Sequence, residues 1–334
     1  MTARHTIRAT GPGDLLGLVP SLLGFHPADS VVLLTVGDAR QPFHARVDLP
    51  RDADEVDGLA SYLTTVAERS GVRRVAIVLY TDDASAARAV VDALDIELLV
   101  ADIDVVCVVR ADGERCWVLD PVGETGGGGY DALSHPLMAE AVVEGTVVLS
   151  SRQELADSLV GNDPQEIEEV AKLVDARLAR LEAGGDALGP AAGSHQVGAE
   201  EAWVAERVQR FVVDGERLTS DELGRLLAGM AFSVRIRDAA WGSMSREEAA
   251  QHVDLWRDVV RRTPTERRAA PAALLGFAAW LSGSGALAWC AVECAQEAEP
   301  GYSMAGLLAE VLTGALPPSA WEPLRPRDPR LPAG

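Results

Sequence analysis

The chain has 334 residues, 48% hydrophobic and 24% charged, a balance ordinary for a soluble globular protein with room for about two domains. Its formal net charge of -21 argues against nucleic acid and anionic membranes as partners, because gripping phosphates takes a basic stripe. No run approaches the ~18 uncharged apolar residues a bilayer span needs, and the opening MTARHTIRATGPGDLL lacks an apolar signal core, so a cytoplasmic protein is expected.

Ser30–Val36 is a continuous apolar run, the pattern of a strand buried on both faces. After the turn residues GDARQP, Phe43–Leu49 alternates. Phe43, Ala45, Val47 and Leu49 fall on one face, His44, Arg46 and Asp48 on the other, which predicts a half-exposed edge strand. Asp52–Arg69 is amphipathic and helical, and Arg74–Tyr80 (RVAIVLY) is apolar throughout. Asp83–Leu99 predicts a second helix, and Val105–Arg110 with Arg115–Leu119 predicts a hairpin turning at Asp-Gly. Right-handed crossovers make the second, third and fourth strands parallel, and the first strand runs against them. The expected class is α/β followed by all-α. A five-stranded mixed sheet, built from two hairpins and two βαβ crossovers, packs with helices and precedes a helical, repeat-like domain. The alternating strand takes an edge, and the first strand lies beside the third.

The stretch DPVGETGGGGYD (120–131) breaks this pattern, and the tetraglycine Gly126–Gly129 is expected as a flexible loop. Beyond it the period is helical, with helices expected at Gln165–Glu182, Ala199–Val213, Ser220–Ala231 and Arg246–Arg261. The expected division is a mixed α/β domain at 1–145, a helical domain at 146–318 with a soft joint at 184–197, and a Pro-rich tail at 319–334. Within 272–300, Leu275, Gly276, Ala279, Ala288, Val292, Ala295 and Pro300 carry the small-residue spacing of a tetratricopeptide-type hairpin. One repeat cannot bury both its faces, so the same spacing also suits an ordinary helix pair within a larger bundle.

The strand directions locate a candidate site. A first strand antiparallel to its neighbours begins at the edge where the parallel strands end, and ligands of open α/β sheets bind outside those carboxyl ends. Phe25, His26, Asp29, Ser30, Asp48, Thr81, Asp82 and Arg110 therefore belong to one rim. His26, Asp29, Ser30, Asp48 and Asp82 are its candidate catalytic groups; Phe25, Thr81 and Arg110 are candidates for holding a ligand. Each also has a structural account: Pro27 keeps His26 extended, Asp29 turns the chain, Ser30 bonds backbone, and Asp48 ends a strand.

The chemistry is less marked. No G-x-S-x-G elbow surrounds Ser30. Asp29, Asp48 and Asp82 offer oxygen ligands suited to Mg²⁺. The only lysine, Lys172, sits inside a helical pattern with no glycine-rich loop before it, which excludes a P-loop NTPase. Cys107, Cys116, Cys290 and Cys294 lack metal or disulfide spacing. Arg237-Asp238 in VRIRDAAW is expected as an ion pair within the helical domain.

Five separated blocks occur in order: GDLLGLVPSLLGFHPADSVVLL, RVDLP, SSRQELADSL, VRIRDAAW and LLGFAAWLSGSGALAWCAVECAQEAEPGYSMAGLLAEVLTGALPPSAW. Together they resemble an actinobacterial family catalogued only as a domain of unknown function. The resemblance spans nearly the whole chain and implies no activity, cofactor or catalytic residue. The functional expectation is a cytoplasmic, non-enzymatic or regulatory protein that binds a protein or small ligand, with no cofactor and no metal site. The alternative is a hydrolase or transferase working at the rim, with Mg²⁺ as its only implied cofactor. A structural subunit of a homo-oligomer is a third reading.

Overall fold

The apolar run SVVLLT forms the buried strand β1 (Ser30–Thr35) in a computed structural model that describes residues 11–37, 44–132, 134–143, 147–242 and 244–323. The chain divides into two compact units, 1–152 and 153–334. The division falls a few residues past the expected 145/146. Leu149 explains why: it bridges Phe25, its N–H donates to Gly24 O, and its carbonyl accepts from His26 N, which holds 147–150 on the first unit.

In that unit α1 (Pro12–Leu23) ends at Gly24, whose φ of 81° lets the chain leave the helix while its N–H satisfies the Pro20 carbonyl. After β1 come β2 (His44–Asp48), α2 (Val56–Arg69), β3 (Arg74–Tyr80), α3 (Ala84–Val100), β4 (Asp104–Ala111), β5 (Arg115–Leu119), β6 (Glu124–Gly129) and α4 (Pro136–Val143). The sheet order is β2-β1-β3-β4-β5-β6. β1 is antiparallel to both neighbours and β3–β4 is parallel, so the sheet is mixed.

The sheet has six strands where five were expected. The tetraglycine is not a loop but most of β6, an edge strand antiparallel to β5. Glycine reads as a strand breaker because it brings no side chain to pack. Here the ladder to β5 fixes the backbone, a register shift accommodates Gly126 and Gly127 at positive φ, and the Trp117 indole covers Gly127, where a Cβ would come within 2.9 Å of its Nε1.

Alternation divides the side chains between two cores. Val31, Leu33, Val75, Ile77 and Leu79 pack with α2 and α3. Val32, Leu34, Ala76, Val78, Tyr80 and Val109 pack with Leu15, Leu16 and Val19 of α1.

The second unit begins within α5 (Arg152–Asp157), followed by a helical backbone from Pro164 to Asp214 (α6), which Asp163 caps by accepting from Gln165 N and Glu166 N. This segment is not one straight rod. Arg177 and Glu200 form a 2.7 Å ion pair, whereas a straight helix rising about 1.5 Å per residue would hold them roughly 34 Å apart. The chain doubles back between them. The soft joint expected at 184–197 lies on backbone that is helical throughout; the side chains of 184–193 lie outside the described residues.

Then follow α7 (Ser220–Phe232), α8 (Val234–Trp241), α9 (Ala249–Arg262), α10 (Ala269–Leu281), α11 (Gly285–Ala298) and α12 (Ser303–Thr313). α10 is buried on all sides, with Gly276 pressed against Leu308 and the Ala288 carbonyl. VRIRDAAW is helix α8, and its Arg237–Asp238 pair closes at 2.6 Å. Trp321, in the expected tail, packs on Trp241 and Phe277 and donates from Nε1 to Met244 O at 2.9 Å. The rest of that tail, 324–334, lies outside the described residues. All four cysteines are described and none joins a disulfide. No helix among the described residues is long and apolar enough to cross a membrane.

Burial in the helical unit has a pH consequence. His252 of α9 is 2% exposed, and desolvation lowers its pKa from 6.5 to about 4. The unfolded chain thus binds a proton that the folded chain refuses between those values. Stability from this residue is intact above pH 6.5 and falls as pH drops towards 4, by about 3 kcal/mol in all. Urea midpoints of wild type and His252→Gln, compared at pH 7.5, 6 and 5, should diverge in slope, the variant being flatter. Parallel slopes would refute the assignment.

Candidate functional site

The register fixes the rim. Ser30 lies opposite Asp48 of β2 on one side and opposite Tyr80 of β3 on the other. Tyr80 is in turn opposite Ala111 of β4, and Arg110 is opposite Leu79. Ser30, Asp48, Thr81, Asp82 and Arg110 therefore sit at one edge of the sheet. They do not share a face. Side chains alternate with period two, so Ser30, Asp48 and Tyr80 stand on the α1 side, whereas Arg110 stands with Leu79 on the side of α2 and α3.

On the α2/α3 side the polar groups are fully occupied. Arg110 donates through Nε and Nη2 to both oxygens of Glu124, each at 2.8 Å, and through Nη1 to Thr81 O at 3.2 Å. Its guanidinium stacks on Trp117, 3.9 Å from the ring centroid. The bidentate pair raises the Arg110 pKa and lowers that of Glu124. Thr81 is used at every polar atom: its N–H donates to Ala111 O, its carbonyl accepts from Arg110, and its Oγ1 accepts from Asp83 N. Asp83 caps α3 through Ser85 N and Ala86 N. Asp82, beside it, is exposed.

The α1 side is different. Arg46 of β2 reaches rimward, donating from Nη1 to Asp48 at 2.6 Å and from Nη2 to Ala28 O at 3.3 Å. It also lies over the ring of buried Phe25, 5.9 Å from the centroid. Burial lowers the Arg46 pKa, partly offset by Asp48. Asp29 adopts φ 43°, a left-handed turn that aspartate tolerates, and its carbonyl accepts from Leu49 N at 2.8 Å, extending the β1–β2 ladder to the rim. His26 is half-buried, its N–H bonded to Leu149 O, and burial lowers its imidazole pKa.

On this face three buried side-chain atoms stand without a partner. Ser30 is fully buried and its Oγ has no hydrogen-bond partner among the described residues; the same holds for Tyr80 Oη and Arg46 Nε. Burial also drives the Tyr80 pKa sharply upward, so the phenol stays protonated. In the first unit only one other described side-chain atom, Thr64 Oγ1, is buried without a partner. Three of four such atoms thus fall on one face of three adjacent strands.

The structure therefore brings Phe25, Ser30 and Asp48 together with Arg46 and separates them from Thr81, Asp82 and Arg110. Among the described residues, no three His, Cys, Asp or Glu side chains gather to hold a metal ion. Arg46, Tyr80 and Glu124 were not among the candidates. Arg46 shares the polar face of β2 with Asp48, and Tyr80 is the polar side chain at the rim end of RVAIVLY, so parity could have found both. Nothing in the glycine stretch pointed to Glu124.

A family model described as Domain of unknown function (DUF4192) matches residues 12–319. No curated protein and no solved structure matches the chain.

Proposed function

We propose, from the premise that this chain belongs to the family described as Domain of unknown function (DUF4192), that it is a cytoplasmic, non-enzymatic binding protein whose α/β unit takes a small ligand at the rim of β2, β1 and β3. The observation that carries this reading is the state of Ser30. A serine nucleophile needs a base within about 2.6–3.2 Å, and Ser30 Oγ has no hydrogen-bond partner among the described residues. Arg110, on the other face, is committed to Glu124 and Thr81. What stays open is hydrogen-bonding capacity without a proton acceptor in place, which suits holding a ligand rather than transforming one. In this reading the helical unit, with repeat-like spacing in α10 and α11, supplies the contact with a partner protein.

The test pairs an activity panel with a binding screen. Chromogenic ester and phosphate substrates, with and without Mg²⁺, should be turned over no faster by the full chain than by its Ser30→Ala variant. A metabolite screen by thermal unfolding should return at least one saturable stabiliser. Turnover lost in Ser30→Ala, or Mg²⁺-dependent turnover lost in Asp48→Asn, would replace this reading with the hydrolase or transferase one.

A further inference from the structure

We propose that the outward face of α3, at the end of the helix away from the rim, docks a basic amphipathic helix of a partner protein. The inference goes beyond the rim reading and does not depend on it. Asp83 caps α3 beside Thr81, and the face in question lies about four turns further on.

The exposed side chains come first. α3 packs inward through Ala87, Val90, Val91, Leu94 and Leu98, which cover the sheet. Away from these positions Ile96, Leu99 and Val100 are 66%, 79% and 82% exposed. Residues three and four apart adjoin on a helix, so the three form one stripe. Single apolar side chains in water are ordinary, whereas adjoining ones mark an interaction surface. The sheet is covered without them.

Charge names the occupant. Residues 84–104 carry the carboxylates Asp92, Asp95, Glu97, Asp102 and Asp104 against a single cation, Arg88. Asp92 and Asp95 stand one turn before Ile96 and Leu99. Arg88 comes no nearer to Asp92 than 3.9 Å, and its Nη2 donates to Asp120 O at 2.9 Å. Burial and the neighbouring Asp92 raise the Asp95 pKa against the pull of Arg88. Asp102, past the end of the stripe, has Arg73 at 3.1 Å. The flank of the stripe is therefore short of cations, and lysine or arginine beside an apolar face is its complement. A second copy of this chain would set the same acids against each other and bring a net charge of -21 with it.

Backbone bonding gives the partner its shape. The N–H and C=O groups inside a helix are bonded within it, so α3 offers no edge to an added strand. Recognition runs through side chains at helical spacing, which a second helix matches ridge into groove. Ser85 and Ala89 continue the exposed face towards the N-terminus with small side chains, and these let such a helix lie close along α3.

The experiment titrates the full chain into a labelled peptide of leucine and lysine, about 18 residues long, with its leucines on one helical face, and follows fluorescence anisotropy. One-to-one saturable binding is expected, at least about tenfold tighter than for a scrambled peptide of the same composition or one with glutamate for lysine. The double variant Ile96→Ser, Leu99→Ser should weaken binding about tenfold or more. Its unfolding midpoint should stay at the wild-type value, because both side chains already face water. Asp92→Asn with Asp95→Asn should weaken binding several-fold and flatten its dependence on salt.

Equal affinity for the scrambled peptide would mean attraction to net charge alone and would overturn the docking face. So would binding undiminished in Ile96→Ser, Leu99→Ser, or no saturable binding. Sedimentation of the chain by itself supplies the remaining outcome: a dimer that the same double variant dissociates would show a second copy, not a basic partner, on the stripe. None of these results bears on the rim, which is read by metabolite binding and by Ser30→Ala.

Discussion

Replacing Gly161 with alanine should destabilise the helical unit by about 3 kcal/mol or more, a fall of roughly 10 °C in its unfolding midpoint. Gly161 lies between α5 and α6, and a Cβ there would overlap the backbone carbonyl oxygen of Arg261 near the end of α9. Its next neighbours are the carbonyl carbon of Arg261 at 2.9 Å and Ile167 Cδ1 at 3.0 Å. A flexible side chain could swing aside. A helix-terminal carbonyl cannot, and the same junction is held by Arg261 Nη1 donating to Ser158 O at 3.3 Å. Alanine would push the loop off α9 and strain both contacts. Gly198, in α6, is the control, because a Cβ there meets nothing within 4 Å. Gly198→Ala should gain up to about 1 kcal/mol from helix propensity. Equal effects for the two substitutions would show that close approach at 161 does not determine the outcome. The measurement is chemical denaturation of the full chain, followed by far-ultraviolet circular dichroism.

The strand directions were legible because they follow from chain order and handedness, not from detail. Two apolar runs joined through a helix must be parallel, and a run joined by a short turn must be antiparallel. That logic placed Ser30 beside the ends of β3 and β4. It failed to separate faces, because doing so needs the register: a shift of one residue would put Arg110 on the α1 side. β6 was illegible for a different reason. Its residues have almost no side chains, and what holds them is backbone pairing with β5, which a hydropathy pattern does not record. The unpaired hydroxyls could not have been read from sequence at all. Whether Ser30 Oγ bonds backbone, as its position after Asp29 suggested, depends on the cover that α1 and the Phe25–Leu149 bridge provide. The buried α10 illustrates a similar limit. Its small residues match the spacing of a repeat, but their role is set by what packs on every side of it.

Ion pairs of the helical unit are expected to differ in value by burial, and Arg262 and Arg217, which share two carboxylates, show the contrast directly. The Arg262 side chain is 5% exposed. It donates from Nε to Glu166 at 2.7 Å, and from Nη1 to Asp258 at 3.0 Å and to Leu218 O at 2.8 Å. One side chain thereby ties the start of α6 and the segment before α7 to the end of α9. Arg262→Met keeps the stem and removes every donor, leaving the Leu218 carbonyl unbonded and two partly buried carboxylates short of a cation. Removing one partner of a buried pair costs about 3–5 kcal/mol. The lower end applies here, because Arg217 still reaches Asp258 at 2.9 Å and Glu166 at 3.8 Å. Arg217 serves the same two carboxylates from a side chain that is 58% exposed, so Arg217→Ala should cost less than about 1 kcal/mol. Salt separates the two further: raising it should erase the Arg217 effect and leave that of Arg262 nearly intact. Equal losses for the two variants in urea unfolding would mean that the network acts through charge at the surface and not through desolvated hydrogen bonds. The triple variant Arg262→Met, Glu166→Gln, Asp258→Asn should then recover little. If burial governs, that variant should be more stable than Arg262→Met alone, because the stranded charges are gone.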